Sequence, residues 1–268
     1  MTITLNGKSI TVTSPISLFT LKQQYRPEAE IMIVNGYQLH EDRLIQPDDI
    51  IHFIQKGILP PKDELESMLA ARHTPQIYQL LKQSKVAIAG LGGLGSQIAM
   101  MLARTGVGHL FLVDFDIVEP SNLNRQCYAI SHLGMYKTQA LKSQIEQVNP
   151  FVCVTCENTY VTSENLKTLF QGYQVVCEAF DNPVCKAELV NGILEHFPDC
   201  AIVAASGMAG YESSNLIRTK RIFGNLYLCG DNVHEAKPGQ GLMAPRVSIC
   251  AAHQANMVIR LLLGEQEA

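Results

Sequence analysis

A short apolar run, Val86-Ala87-Ile88-Ala89, meets Gly90-Leu91-Gly92-Gly93-Leu94-Gly95, and helical periodicity begins at once in Ser96 to Ala103. The run reads as a buried strand. Strand, glycine turn and helix N-terminus in that order form the first unit of a nucleotide-binding α/β sheet. Glycines let the backbone come close to phosphate, and the free N–H groups and dipole of the helix start attract its charge. Gly90, Gly92, Gly93, Leu94 and Gly95 are therefore candidate phosphate-binding positions. By itself the pattern fits NAD, FAD and ATP sites alike.

The rest of the chain extends this unit. From residue 85 strand and helix patterns alternate, which implies a parallel sheet. Strands are expected at 85–90, 109–114, 152–157, 174–179 and 200–205, and helices at 95–105, 137–148, 163–170 and 183–196. Beyond residue 210, Ser214 to Arg218 and Arg221 to Leu228 read as antiparallel strands. Residues 230–245, with three glycines before Leu242 and two prolines, read as a long loop, and Arg246 to Leu263 as a closing helix. The expected fold class is α/β, a Rossmann-like, mostly parallel sheet with flanking helices.

The first 57 residues read as a separate small α+β domain. Asn6-Gly7 and Asn35-Gly36 are tight-hairpin signals, because both residue types tolerate positive φ. The first joins Ile3-Thr4-Leu5 to Ile10-Thr11-Val12, and the second joins Ile31 to Val34 with Tyr37 to Leu39. Ser17 to Tyr25 forms a short helix that Pro27 ends, and Ile50 to Ile54 is a last strand. Hairpin, helix, strand, strand is the order of a β-grasp, the ubiquitin-like fold. The expected domains are 1–57, a helical linker at 58–84 broken near Thr74-Pro75, and a nucleotide-binding domain at 85–268.

Composition excludes several classes. The net charge of -4 gives no general reason for nucleic-acid binding. No apolar run approaches ~18 residues, so no membrane span is expected. Met1 to Lys8 lack a basic region followed by an apolar core, so no secretory signal is expected. The eight cysteines are scattered through residues 127–250, which suits reduced thiols in a cytoplasmic protein.

Several residues could carry chemistry. Asp114 ends the second expected strand, 24 residues after Gly90, where an acid binds ribose hydroxyls. The alternative is a solvated acid at a strand end. Asp116 lies on the same loop. Ser121-Asn122-Leu123-Asn124-Arg125-Gln126 is a polar loop at the C-terminal side of the sheet, and an Arg there can bridge phosphate oxygens. Lys137 stands at a helix start, an odd place for a cation beside the helix dipole. An anionic ligand would explain it, as would a solvated surface position. Asp181-Asn182-Pro183 follows an apolar strand. Asp181 suits Mg²⁺, and Asn182 before Pro183 suits a helix N-cap. Cys153-x-x-Cys156 is the only CxxC and lies in an alternating strand without a second pair, so it reads as structural. His253, on the last helix, also reads as structural.

These residues together resemble a known family. The glycine loop, Asp114-Phe115-Asp116, Ser121 to Gln126, Lys137 and Asp181-Asn182 match, in order and spacing, the adenylation domain of the ThiF/MoeB group, relatives of ubiquitin-activating enzymes. The resemblance covers roughly residues 70–263. Residues 1–57 resemble a ThiS-type sulfur carrier fused in front. The resemblance implies an ATP-dependent adenylyltransferase that activates the C-terminal Gly-Gly carboxylate of a sulfur-carrier protein, in thiamine (thiazole) biosynthesis. It implies that the glycine loop faces phosphate and that Asp114 holds the ribose. Asn122, Arg125 and Lys137 would contact the phosphates, with Gln126 on the same loop, and Asp181 would hold Mg²⁺. It also implies a homodimer.

The sequence departs from that family in four places. The two CxxC pairs of a structural zinc site are absent from the C-terminal third, which has only Cys229 and Cys250, so no zinc is expected. An Arg-Tyr-x-Arg-Gln segment is replaced by Arg72-His73-Thr74-Pro75-Gln76, leaving Arg72 as the only stand-in for an arginine that reaches ATP in the partner subunit. The sulfur-transfer cysteine of the crossover loop falls near Lys237. Cys229 is the nearest thiol, a candidate for a covalent role against a buried structural one. Finally, Gln55-Lys56-Gly57-Ile58-Leu59-Pro60 has one glycine and the chain continues, so the fused domain cannot be adenylated there without cleavage. The remaining readings are a tRNA-modifying dehydratase relative and a non-catalytic nucleotide-binding scaffold. A dehydrogenase fits least, because the Arg, Lys and Asp set suits phosphate chemistry rather than hydride transfer.

Overall fold

A computed structural model describes residues 1–74 and 76–268. Two compact units divide the chain, Met1–Gln79 and Leu80–Ala268.

The first unit opens with β1 (Thr2–Leu5), β2 (Lys8–Thr11), α1 (Leu18–Tyr25), β3 (Ile31–Val34), β4 (Tyr37–Leu39) and β5 (Ile50–Ile54). Its five-stranded sheet has the order β2-β1-β5-β3-β4. Only β1 and β5 run parallel; both hairpins and the β3–β5 pair are antiparallel. The two Asn-Gly pairs turn the hairpins with positive φ at both residues, the backbone that matches strand twist. The Ser17 side chain accepts the Thr20 amide and starts α1. Leu18 and Leu21 then press on Ile3, Ile51 and Phe53 in a core of their own.

The chain beyond Gly57 folds back on this sheet. Helix α2 (Lys62–Leu69) buries the Glu64 carboxylate, which binds Arg26 Nη2 at 2.6 Å and Asn6 Nδ2 at 3.1 Å. His52 Nε2 meets Ser67 Oγ at 2.7 Å. Helix α3 (Ile77–Gln83) follows. Of the expected break at Thr74-Pro75, Pro75 lies outside the described residues.

The second unit holds β6 (Lys85–Ala89), α4 (Gly93–Thr105), β7 (His109–Val113), α5 (Lys137–Val148), β8 (Cys153–Glu157), α6 (Leu166–Phe170), β9 (Val175–Glu178), α7 (Pro183–His196), β10 (Ala201–Ala205), β11 (Arg218–Phe223), β12 (Leu226–Gly230) and α8 (Ala244–Leu262). Its seven-stranded sheet has the order β11-β12-β10-β9-β6-β7-β8. All neighbours pair parallel except β11 and β12. β9 and β10 are buried along their whole length, as strands covered on both faces must be. From β6 the chain builds outward through β7 and β8, then returns to lay β9 on the other side of β6. That reversal makes a crevice between β6 and β9 at the C-terminal ends of the strands.

The expected α/β class is the observed one, with two local corrections. Ser214–Leu216 is a 3₁₀ turn rather than a strand, and the antiparallel pair lies further on, at β11 and β12. Gly224, in the left-handed region, places the turn there. α6 begins at Leu166 rather than 163, because the Asn165 side chain first closes a turn on the Thr162 amide. Among the described residues no helix is long and apolar enough to cross a membrane.

Candidate nucleotide site

The C-terminal ends of β6, β7, β9 and β10, with the loop after β12, enclose a cavity of about 570 Å³. The glycine turn forms one wall, through Gly90, Gly92, Gly93 and Leu94. Gly95 does not line it. A Cβ on Gly95 would fall 1.8 Å from the Gly90 carbonyl oxygen, so this glycine lets α4 seat against the strand end.

Asp114, at the end of β7, is buried and lines the cavity. Its Oδ2 accepts the Leu91 amide at 2.6 Å and its Oδ1 the Asp116 amide at 2.7 Å. Burial pushes the carboxyl up, and these two N–H donors work against it. Each oxygen keeps acceptor capacity for a hydroxyl. Asp116 holds Lys137 twice. Its carbonyl accepts the Lys137 amide at 3.0 Å, and its carboxylate binds the buried Nζ at 2.7 Å. The anion that balances a lysine at the start of α5 is thus supplied from within the chain. Two further Nζ protons remain, and both residues line the cavity.

The polar loop after β7 divides its work. Asn122 is buried and does not line the cavity. Its Oδ1 accepts the Glu119 amide at 3.1 Å, and its carbonyl accepts the Arg125 and Gln126 amides at 3.2 and 3.0 Å. It shapes the loop that presents the next two residues. Arg125 donates from Nη1 to the Ser121 carbonyl and the Asn124 side chain, at 3.1 and 2.9 Å. Among the described residues its Nε is buried without a partner, as is Oε1 of the buried Gln126. Both residues line the cavity. Unsatisfied buried polar atoms are costly, so a polar ligand fits this wall.

Asp181 and Asn182 lie where β9 gives way to α7, and both line the cavity. Asn182 is the N-cap, its Oδ1 accepting the Val184 and Cys185 amides at 2.8 and 3.2 Å. Asp181 makes no cap and is exposed.

Residues that sequence reasoning passed over complete the walls. Lys186 lines the cavity and its Nζ binds Oε2 of Glu178, a fully buried carboxylate at the end of β9. Burial pushes the Glu178 carboxyl up and Lys186 draws it down; burial prevails. The signal for Lys186 was the one used for Lys137, a cation in the first turns of a helix that follows a parallel strand. Tyr160 and Cys185 meet at 2.6 Å between Oη and Sγ on the same wall. His234 enters from the long loop, which carries no period to mark it.

Other candidates fall elsewhere. Cys229 is fully buried among core residues, where burial raises its thiol to about 11, a setting for an inert thiol. Cys153 and Cys156 sit on opposite faces of β8 as unpaired thiols. His253 Nδ1 meets Thr219 Oγ1 at 2.9 Å. In the first unit Arg72 donates to the Gln38 side chain at 3.0 Å.

The ThiF family matches residues 66–268, and a ThiS-like ubiquitin domain matches residues 1–57. The chain is 30% identical to the molybdopterin-synthase adenylyltransferase of Escherichia coli over 196 residues, 69% of this chain and 76% of that protein. It is 31% identical to the adenylyltransferase and sulfurtransferase UBA4 of Saccharomyces cerevisiae over 192 residues, 69% of this chain and 43% of that one. It is 35% identical to the tRNA threonylcarbamoyladenosine dehydratase of Haemophilus influenzae over 120 residues, 44% of this chain and 46% of that one. It thus spans less than half of these last two relatives. Among solved structures, the E. coli tRNA N6-threonylcarbamoyladenosine dehydratase in complex with ATP shares the fold, with a TM-score of 0.67 at 23% identity, over 74% of this chain and 93% of that one. A domain match over residues 66–268, with a 30% identical adenylyltransferase covered across 76% of its length, settles the identity: the chain belongs to the ThiF family.

Proposed function

We propose that this chain is an ATP-dependent adenylyltransferase that activates the C-terminal Gly-Gly carboxylate of a sulfur-carrier protein, in thiamine biosynthesis. One observation carries the reading. Among the described residues Arg125 Nε and Gln126 Oε1 stand buried without partners, on a wall they share with the glycine turn, Asp114, Lys137 and Asp181. The relatives named as adenylyltransferases support it.

The chemistry explains the charges. A carrier carboxylate oxygen attacks the α-phosphorus, the bond from that phosphorus to the pyrophosphate oxygen breaks, and pyrophosphate leaves with the electron pair. Charge builds on the phosphates, and fixed cations there stabilise the transition state. The glycine turn and the start of α4 face the phosphates, Asp114 accepts a ribose hydroxyl, and Arg125 and Lys137 meet phosphate oxygens. Asn122 acts through the loop it shapes. Asp181, an exposed carboxylate on the cavity wall, fits Mg²⁺, which takes one or two carboxylates together with phosphate oxygens and water. Among the described residues no three His, Cys, Asp or Glu side chains gather as an all-protein cage would need. Mg²⁺ bound there would neutralise phosphate charge.

The fused β-grasp domain serves in docking or regulation rather than as the substrate, because Gly57, the one glycine of residues 55–60, is followed by a helix whose Ser67 is bound to His52 of its own sheet. Deleting residues 1–57 tests this: unchanged folding, dimerisation and carrier kinetics would refute it. The family resemblance supports a homodimer, and eight unpaired thiols fit the cytoplasm.

ATP–pyrophosphate exchange, with and without a separate Gly-Gly-ended carrier, tests the reading. Exchange only with the carrier supports it. No exchange with ATP still bound favours a scaffold or another acceptor. The likeness to tRNA dehydratases keeps one rival reading, and a tRNA mobility shift at physiological salt would favour it.

A further inference from the structure

The order of strands lays out the cavity. Asp114 follows β7, the glycine turn follows β6, Asp181 follows β9, and His234 lies beyond β12, four strand steps from β7. At ~4.8 Å per step that is about 19 Å. A nucleotide with its ribose at Asp114 and its phosphates over β6 and β9 leaves the β10–β12 end for the acyl group joined to the α-phosphate.

His234 is held there by a built arrangement. Its Nδ1 lies 2.6 Å from Asp231 Oδ2. The Asp231 Oδ1 accepts the Val233 and His234 amides, both at 2.9 Å. Arg246 Nη2 binds Oδ2, while its Nη1 is fixed by the Glu212 and Ser213 carbonyls at 2.6 and 2.9 Å. The carboxylate also abuts the end of β10, since a Cβ on Gly207 would fall 2.2 Å from Oδ1. Burial works to raise the Asp231 carboxyl, but the His234 and Val233 amides and the His234 ring hold it down to about 2. It therefore stays ionised and can only accept. In the neutral imidazole Nδ1 then carries the proton, and Nε2 is the acceptor nitrogen. Among the described residues Nε2 has no hydrogen-bond partner, and the residue lines the cavity.

Adenylation has no proton for such a base to remove, because its nucleophile is a carboxylate. A base at the acyl end has work only when the acyl group moves on to a nucleophile that still holds a proton. We propose that His234, oriented by Asp231, is the general base for transfer of the acyl group from the acyl-adenylate to a thiol; the proposal rests on the adenylation reading. The thiol sulfur forms a bond to the acyl carbon, the bond from that carbon to the phosphate oxygen breaks, and AMP leaves with the electron pair. The thiol proton passes to Nε2, and the Asp231 carboxylate stabilises the imidazolium.

The test uses the full chain with Mg²⁺, ATP, a Gly-Gly-ended sulfur carrier and dithiothreitol as the thiol. Exchange of pyrophosphate into ATP reads the first step. Thioester formation on dithiothreitol reads the second. His234→Gln keeps a donor for Asp231 but cannot take the proton at neutral pH. It should cut thioester formation roughly 10²- to 10⁴-fold more than it cuts exchange. Equal loss of both rates, or loss of neither, overturns the assignment of His234 alone. His234→Asn serves as a second variant, and a matching melting temperature for either variant excludes misfolding as the cause. No exchange in the unaltered chain overturns the adenylation reading, and this inference with it.

Discussion

The Asp114 carboxylate accepts the Leu91 amide at 2.6 Å, tying the acid that ends β7 to the glycine turn that ends β6. The proposed ribose acceptor and the proposed phosphate loop are therefore one unit. Asp114→Ala strands the buried Leu91 amide and the part-buried Asp116 amide. Losing buried partners costs about 1–3 kcal/mol. We expect ATP affinity to fall about 10- to 100-fold, read by calorimetric titration. Unchanged affinity would show that Asp114 neither shapes the loop nor meets the nucleotide.

Gly95 admits no side chain, because a Cβ would meet the Gly90 carbonyl oxygen at 1.8 Å and the Ala179 Cβ at 3.3 Å. Backbone cannot yield as a flexible side chain does. Gly95→Ala should cost about 3 kcal/mol or more, measured by urea unfolding of the full chain. A loss below about 1 kcal/mol would mean that α4 shifts freely on the sheet.

The sequence disclosed this much because the signals are local. The Val86–Ala89 run, the glycine turn and the Asn182-Pro183 cap each declare their own structure within a few residues, and the parallel sheet follows from the alternation they begin. The offset of β11 is less legible, since only the left-handed turn at Gly224 separates the exposed, polar β11 from the largely buried β12. Asn122 reads as a ligand in sequence because a polar loop at the sheet end faces the site, yet its side chain is spent on the Glu119 amide. Tyr160 and His234 had no signal at all. Their places depend on which loops converge, and periodicity says nothing about that.

Cys185 is the one cysteine among the described residues that lines the cavity. Cys153 is exposed on the outer strand β8. Saturating ATP should slow alkylation of Cys185 by iodoacetamide at least tenfold, while Cys153 reacts at the same rate with or without it. Peptide mass spectrometry resolves the two. Equal protection of both would point to a global change rather than an occupied site.

Arg125 is tethered by Ser121 and Asn124, leaving its Nε unpartnered beside the cavity. Arg125→Ala should lower ATP–pyrophosphate exchange about 10²- to 10³-fold, and Asp181→Ala should do likewise. Neither should move the melting temperature by more than about 3 °C, because Asp181 is exposed and the partners that Arg125 leaves, the Ser121 carbonyl and the Asn124 side chain, are exposed too. Near-normal exchange in both variants would sink the site assignment.

Lys186 is the cationic partner of the fully buried Glu178 carboxylate, whose other oxygen accepts the Phe180 amide at 2.7 Å. Burial has raised the folded value of this acid above the ordinary carboxylate range. The folded protein then holds a proton that the unfolded chain releases, so stability from this group is full at low pH and falls as pH rises through the folded value. Lys186→Met removes the attraction that limits the rise. The window widens upward, and a buried carboxylate is left unpaired at neutral pH. We expect a loss of about 3–5 kcal/mol at pH 8, shrinking toward pH 5 as the folded acid takes up its proton. Denaturant titrations of both proteins at the two pH values measure the difference. A deficit equal at both would assign Lys186 a packing role and leave the Glu178 charge to the backbone amides.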